Sequence, residues 1–407
     1  MKELFSLGEI YPSDFLKPDE TPHTDKIELK LLMDDDGVVR LEKTAPLNKM
    51  FGRYFYRSGT NNSMKVELKN IVNSILEVKK LNDNDVWVDI ASNDGTLLSN
   101  VPKNLIRIGI DPADDTYKVE SEKHSNVIVQ DFFSAKNYKS TEYGERKASV
   151  ITSIAMFYDL EDPDTFTKDI FEILDDNGLW VLQLSYSPLM ISQLAFDNIL
   201  HEHTCYYSLF NLKKILNRNG FQIVDCSLNN TNAGSFRVYA MKSQADLKTF
   251  TTQTHRDVCD VRVKSLLAYE KSLKLDQVET WKEFYSNILL LKEQVVSFLE
   301  KETSEGKVIY GYGASTKFNT LLQFFDIGKY IKVIAERTPY KFGLKTVGTN
   351  IPIISEEQMR QDAIDGKVDY LFVGPWQFLS EFVEREKDTL ALGVKMIFPC
   401  PKFEVIG

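Results

Sequence analysis

Residues 196–209 read FDNILHEHTCYYSL and hold two histidines one residue apart, a glutamate between them and two tyrosines just after. His-x-His is half of a metal site, His beside Glu is an oriented general base, and a buried pair held for its own sake is the third reading. The metal reading lacks its other ligands, because Cys205, Cys226, Cys259 and Cys400 form no CxxC pair and no carboxylate-rich cluster lies nearby. In an extended segment the side chains at i and i+2 also face opposite ways. A general base is therefore preferred, with one ring facing a pocket and held by Glu202.

Two more stretches carry chemistry. DVWVDIASNDG (85–95) is a buried-strand run ending in a small polar loop, the place where a parallel sheet binds nucleotides. Only Gly95 is present where a dinucleotide fingerprint needs three glycines, so that reading fails. Asp111 lies 22 residues beyond Asp89, at a spacing suited to ribose hydroxyls. One strand further on, Asp131 and Phe132 are placed for the amine and the face of an adenine. Each site alone reads as an ordinary strand-end loop; three of them, one βα unit apart, point to an adenosine ligand. In YGYGASTKFNTLLQ (310–323) a glycine-rich turn precedes a helix with Lys317 on its first turn. That arrangement suits a phosphate or diphosphate, a degenerate nicotinamide site, or a tight turn packed for its own sake.

The elements that must position these residues alternate strand and helix over residues 71–243, the pattern of a parallel sheet covered by helices. The strand-like runs are DVWVDIA, LIRIGID, NVIVQDFF, ASVITSIAMF, LWVLQLS, FQIVDCSLN and SFRVYAMK, and TLLSNV reads as helix. Residues 1–70 form a small N-terminal module with a hairpin in IELKLLMDDDGVVRLEK. Residues 244–304 are helical, and the alternation restarts over 305–407 as a second, smaller domain. The fold expected is α/β, with a Rossmann-like domain, the small module and a C-terminal Rossmann-like domain.

The 407 residues, 43% hydrophobic and 27% charged, suit a globular chain of two or three domains. A net charge of −10 with no basic stripe argues against nucleic acid. No run approaches a membrane span, the start lacks a signal-peptide pattern, and scattered cysteines suit a reducing cytoplasm. The expected assembly is a monomer or homodimer.

The blocks YFYRSGTNNSM, DIASNDGTLL, GIDP, AMFYDLEDP, HEH with YYSL, and YGYGASTK occur together and in this order. Over most of its length the chain resembles the sugar C-methyltransferases that act on nucleotide-linked keto-sugars. The resemblance implies a class I methyltransferase domain, S-adenosylmethionine as cofactor and a nucleotide-sugar substrate. It implies His203 as the base that deprotonates the carbon next to a ketone and Glu202 in its support; if a Tyr at the position of Leu200 holds the enolate in relatives, another group must do so here, for example Tyr206, Tyr207 or Asn232. Cofactor binding falls on Asp89, Ser92, Asn93, Asp94, Gly95, Asp111, Asp131, Phe132 and Ser153. The sugar side falls on Tyr56, Arg57, Ser58, Asn232 and Ser235, and the diphosphate side on Gly311, Gly313, Ser315 and Lys317. The chain departs from the family pattern in three places. Residues 1–70 hold no cysteine for the zinc of the family's module, Leu200 stands where relatives have Tyr or Cys, and Gln183 replaces a Glu. No metal is expected.

Overall fold

The computed structural model describes residues 1–45 and 56–407. They divide into two compact units, each made of separate stretches of chain. One takes Met1–Ala45, Pro188–Thr204 and Leu275–Gly407; the other takes the described residues 56–187 with Cys205–Lys274. The units therefore interleave where the sequence suggested consecutive segments. The segment 188–204, with both histidines, belongs with the N- and C-terminal stretches.

The second unit is built on a seven-stranded sheet. From one edge the strands are Phe221–Asn229, Ser235–Lys242, Leu174–Ser185, Ala148–Ile154, Val86–Ile90, Ile106–Ile110 and Val127–Val129. All pairings are parallel except those of Ser235–Lys242, which runs antiparallel to both neighbours. Numbered along the chain the order is 6-7-5-4-1-2-3, with the direction of winding reversing at Val86–Ile90. All five residues of that strand are buried, as expected of a parallel strand covered on both faces. The helix Asn62–Val78 covers one face. Its N-terminus is capped by Asn61, whose side chain accepts from the Ser63 N–H at 2.9 Å. Met64, Leu68, Ile71, Val72, Ile75 and Val78 form its apolar stripe and join Trp87, Val150, Leu179 and Val181 in one core. Trp180, Phe157, Phe166 and Phe221 fill the opposite side with edge-on and tilted rings.

In the first unit, the expected hairpin is present as Ile27–Met33 paired with Val39–Leu41. Lys2–Ile10 adds an antiparallel strand to it. Phe5 on that strand stacks on Tyr285 at 4.7 Å, so the long helix Val278–Ser304 packs against this sheet. A six-stranded sheet follows, in the order Ile353–Ser355, Ile331–Glu336, Ile309–Tyr312, Tyr370–Val373, Lys395–Phe398 and Glu404–Ile406. The first five strands are parallel and the last is antiparallel. In chain order this is 3-2-1-4-5-6, the doubly wound arrangement, with its switch point between Ile309–Tyr312 and Tyr370–Val373. The helix Thr316–Phe325 leaves the first of those strands. Phe196 stacks on Phe325 at 4.8 Å, which anchors the histidine segment to this helix.

One local expectation changes: TLLSNV forms only the short 3-10 turn Leu98–Asn100, because Pro102 follows at once and cannot extend a helix. After strand Tyr370–Val373 the chain forms two short helices, Leu379–Arg385 and Lys387–Ala391. They part at Glu386, whose fully buried carboxylate accepts from the Tyr312 hydroxyl at 2.8 Å.

Candidate active site

In the sheet of seven strands, the chain leaves Val86–Ile90 through a tightly curled loop, with φ of 58° at Ala91, 52° at Asn93 and 77° at Gly95. A Cβ on Gly95 would lie 2.8 Å from the backbone of Ser121, so glycine is required by both conformation and space. Asp111 closes the loop, its carboxylate accepting from the N–H of Asn93 and of Ala113, each at 2.8 Å. Burial raises its pKa, and those two backbone hydrogen bonds oppose the rise. Asp89 is buried beneath the loop and accepts from the Thr152 hydroxyl at 2.7 Å; burial pushes its carboxyl up to about 7. Thr152 carried no signal in the sequence, since its role depends on two strands lying side by side.

Tyr56, Arg57 and Ser58 are tied to this same loop. The Asn93 side chain accepts from the Ser58 N–H and donates to the Tyr56 carbonyl, both at 3.0 Å. The Gly59 N–H donates to Asp94 at 2.8 Å, and the Arg57 guanidinium lies 4.0 Å from the centre of the Tyr117 ring. Asp131 and the Phe132 ring are exposed just beyond strand Val127–Val129, with Phe132 47% accessible. Among the described residues the buried Ser92 hydroxyl has no hydrogen-bond partner. An acidic acceptor, an orphaned hydroxyl and an exposed aromatic face fit an adenosine-bearing cofactor at this edge. Ser153 lies on the neighbouring strand in register with Ile90, fully buried and accepting from the Trp180 indole at 3.1 Å. Asn232, at φ 53°, lies in the turn before strand Ser235–Lys242, and the Ser235 hydroxyl donates to the Thr231 carbonyl at 2.8 Å. Tyr207 is fully buried, its ring 5.5 Å from Phe157.

The histidines belong to the other unit, and their rings take separate partners. Residues 200–203 form a turn, with the His203 N–H donating to the Leu200 carbonyl at 3.0 Å. His201 is buried and donates from Nε2 to the Ile27 carbonyl at 3.0 Å. His203 is half-buried and donates from Nδ1 to the Asn198 carbonyl at 2.9 Å, which leaves Nε2 as its basic nitrogen. Burial lowers the His201 pKa to about 4. Burial first, and then the positive charge of Lys317, take His203 down to about 3. At neutral pH the ring is therefore uncharged. Glu202 is half-buried, its Oε2 has no hydrogen-bond partner among the described residues, and burial pushes it up to about 7. The hydrogen bond that orients the His203 ring comes from the Asn198 carbonyl, a group the sequence reading missed.

Lys317 lies with His203. Its Nζ donates to the Asn198 side-chain oxygen at 2.6 Å, and burial lowers its pKa while Asp197 opposes. Asp197 is buried, accepts from the Trp376 indole at 3.0 Å, and has its carboxyl raised by burial. Leu200 is buried. Of the turn residues, Ser315 caps the helix by accepting from the Phe318 N–H at 3.1 Å. Gly311 and Gly313 sit where the chain passes close to its neighbours, and a Cβ on Gly313 would lie 2.6 Å from Pro375. Among the described residues, one group of three candidate metal ligands comes together: Asp225, His255 and Cys259, with ligand atoms within 4.8 Å. It does not include the HEH segment, and Arg262 already donates to both Asp225 oxygens, at 2.9 and 2.6 Å.

The sheet order and the acidic loop at its nucleotide edge are those of an S-adenosylmethionine-dependent methyltransferase, and a methyltransferase-domain family model matches residues 62–225. A second model, the C-methyltransferase C-terminal domain, matches residues 230–401. Together the matches support an S-adenosylmethionine-dependent C-methyltransferase, with S-adenosylmethionine as its cofactor. It is 27% identical over 361 residues to C-methyltransferase NovU of Streptomyces niveus, covering 88% of this chain and 82% of that relative. Solved structures share less. An S-adenosylmethionine-dependent methyltransferase of Clostridium acetobutylicum is 12% identical over 45% of this chain and 93% of its own, at a TM-score of 0.34. Magnesium protoporphyrin IX methyltransferase of Synechocystis is 12% identical over 48% and 92%, also at 0.34. Those scores add no weight to the strand order. Among the described residues, no helix is long and apolar enough to cross a membrane.

Proposed function

We propose that the protein methylates the carbon next to the ketone of a nucleotide-linked deoxy-keto-sugar, with His203 as the base. The observation that carries this reading is the His203 ring, neutral and fixed by the Asn198 carbonyl so that Nε2 is the nitrogen that takes a proton. Forming a carbon–carbon bond requires a carbon nucleophile, and a proton next to a ketone is the one a neutral imidazole can remove, because the charge left behind passes to oxygen. The cofactor, when bound, supplies a methyl group on a sulfonium, electrophilic enough that no metal is needed. Nε2 would take the proton, the C–H electron pair would become the enolate, and the enolate carbon would bond the methyl as the methyl–sulfur bond breaks, its electron pair staying on the sulfur of the departing S-adenosylhomocysteine. A buried ring held so far below neutrality accepts the proton readily only as negative charge develops beside it. The developing enolate provides that charge, which favours proton removal in the presence of substrate over idle protonation.

Asp111, with the loop 92–95, is assigned to the adenosine part of the cofactor, and Phe132 to the adenine face. The sugar nucleotide is supported by the family blocks in the sequence and by the family's reaction class. The test is to incubate the full chain with methyl-¹³C-S-adenosylmethionine and a panel of nucleotide-linked 4-keto-deoxy-sugars, reading products by NMR. A new methyl resonance on a ring carbon is expected. A label found on oxygen or nitrogen, or no transfer to any keto-sugar while another substrate class is methylated, would overturn the reading.

A further inference from the structure

We infer that Lys317 and Asn198 form a clamp that positions the His203 ring, making Lys317 a positioning residue for the base and not a ligand of a substrate diphosphate. The inference rests on the assignment of His203 as the base.

Three elements meet in the clamp. Lys317 stands on the first turn of helix Thr316–Phe325, and its Nζ donates to Asn198 Oδ1 at 2.6 Å. Asn198 closes the 3-10 turn Phe196–Asn198, and its Nδ2 donates to the Ala195 carbonyl at 3.1 Å. Both ends of the amide are thus engaged, and the residue is almost fully buried. Its backbone carbonyl then accepts from His203 Nδ1 at 2.9 Å. Phe196 holds the turn on the same helix, its ring 5.6 Å from Phe324 and 4.8 Å from Phe325. Rotating the Asn198 peptide away from His203 would carry its side chain off Lys317 and off the Ala195 carbonyl, giving up both hydrogen bonds at once. The carbonyl direction, and with it the Nδ1–H tautomer, is therefore set from the helix. This is how outer partners orient imidazoles in metal and catalytic sites.

An uncharged residue could pack at position 317 without the cost of burying an ammonium. The charge has two uses here: it draws the Asn198 oxygen to a short distance, and it acts against protonation of His203. Asp197 faces it from the same turn, is held by Trp376 from the loop after strand Tyr370–Val373, and acts on Lys317 and on Cys400. The ammonium is thereby tolerated within the cluster.

The test reads the ring directly and needs no substrate. In the full chain labelled with ¹⁵N-histidine, long-range ¹H–¹⁵N spectra report the tautomer of each ring, with His203→Gln assigning the signal. The native chain is expected to show His203 as the single Nδ1–H tautomer, without titration between about pH 5 and 8. Lys317→Met and Asn198→Leu each remove one end of the clamp. Both are expected to give mixed tautomers, and Lys317→Met an apparent pKa raised by at least about one unit. Asn198→Asp keeps an acceptor for Lys317 and should retain the native tautomer. An unchanged tautomer in both Lys317→Met and Asn198→Leu overturns the clamp. Should either lose its circular-dichroism signature the other decides, and if both do, mixed tautomers in Asn198→Asp overturn it. Because no methyl transfer is measured, a His203→Gln chain that still methylates would remove the base assignment while leaving the clamp standing.

Discussion

His203 Nδ1 lies 2.9 Å from the carbonyl oxygen of Asn198, and this single hydrogen bond decides which nitrogen of the ring can act as a base. His201, two residues earlier, turns its Nε2 to the Ile27 carbonyl at 3.0 Å and is held in a structural place. Two histidines one residue apart are thus divided by the turn that carries them.

Glu202, between them, is expected to be a stability liability at alkaline pH. Its folded pKa of about 7 lies above the ordinary 4.5, so the fold favours the protonated form. Its contribution is therefore lost as pH rises from the unfolded value through about 7. Glu202→Gln should raise stability by about 1–2 kcal/mol at pH 8 and change it little at pH 4. Thermal melts of both chains across pH check this; a variant less stable at pH 8 would show that the ionised carboxylate has a partner. The histidines act in the opposite sense. Their pKa values are depressed, so their contribution is present above about 6.5 and is lost as pH falls towards about 4 for His201 and about 3 for His203.

Asp111 should be felt in cofactor affinity. Asp111→Asn keeps a side-chain oxygen but removes the charge and one acceptor from an edge assigned to ribose hydroxyls. Calorimetry with S-adenosylhomocysteine should show binding weakened by about 10- to 100-fold, the range for losing one hydrogen bond to a charged group. Affinity within about twofold of native would move the ribose away from Asp111.

Arg237 should matter to folding. It is 7% exposed and donates to Glu67 at 2.8 Å, Gln183 at 2.9 Å and Ser74 at 3.1 Å. Arg237→Met leaves the Glu67 carboxylate without its cation, and denaturant titration should show a loss of about 3 kcal/mol. A loss under about 1 kcal/mol would mean that water reaches Glu67 in the variant. Gln183 is part of this network, its Oε1 accepting from Arg237 and from the Asn229 amide at 3.1 Å.

Much of the architecture was legible because buried strands announce themselves as short apolar runs between polar turns. IKVIAE is the strand Ile331–Glu336, and FQIVDCSLN and SFRVYAMK are Phe221–Asn229 and Ser235–Lys242. Lys2–Ile10 was not legible, since its pattern is broken by two register shifts and its partner begins at Ile27. Local patterning also gave no sign that 188–204 would join the C-terminal sheet, because that depends on Phe196 meeting Phe324 and Phe325. At the site, residue types were readable and partners were not. Asn198 and Lys317 are 119 residues apart, and their 2.6 Å contact leaves no local trace. Lys317 looked like a phosphate ligand because the first turn of a helix after a glycine-rich strand end commonly binds phosphate. In the structure its Nζ donates to Asn198 Oδ1, the contact on which the proposed positioning role rests.

The central claim is that His203 removes a proton from carbon. It is tested most directly by following deuterium loss from the carbon next to the ketone of a nucleotide-linked 4-keto-deoxy-sugar, with S-adenosylhomocysteine in place of the methyl donor. The native chain should wash out the label into water, and His203→Gln should do so slower by about 10²- to 10⁴-fold, with S-adenosylhomocysteine affinity unchanged. Washout by His203→Gln at a rate within about tenfold of native would contradict the account.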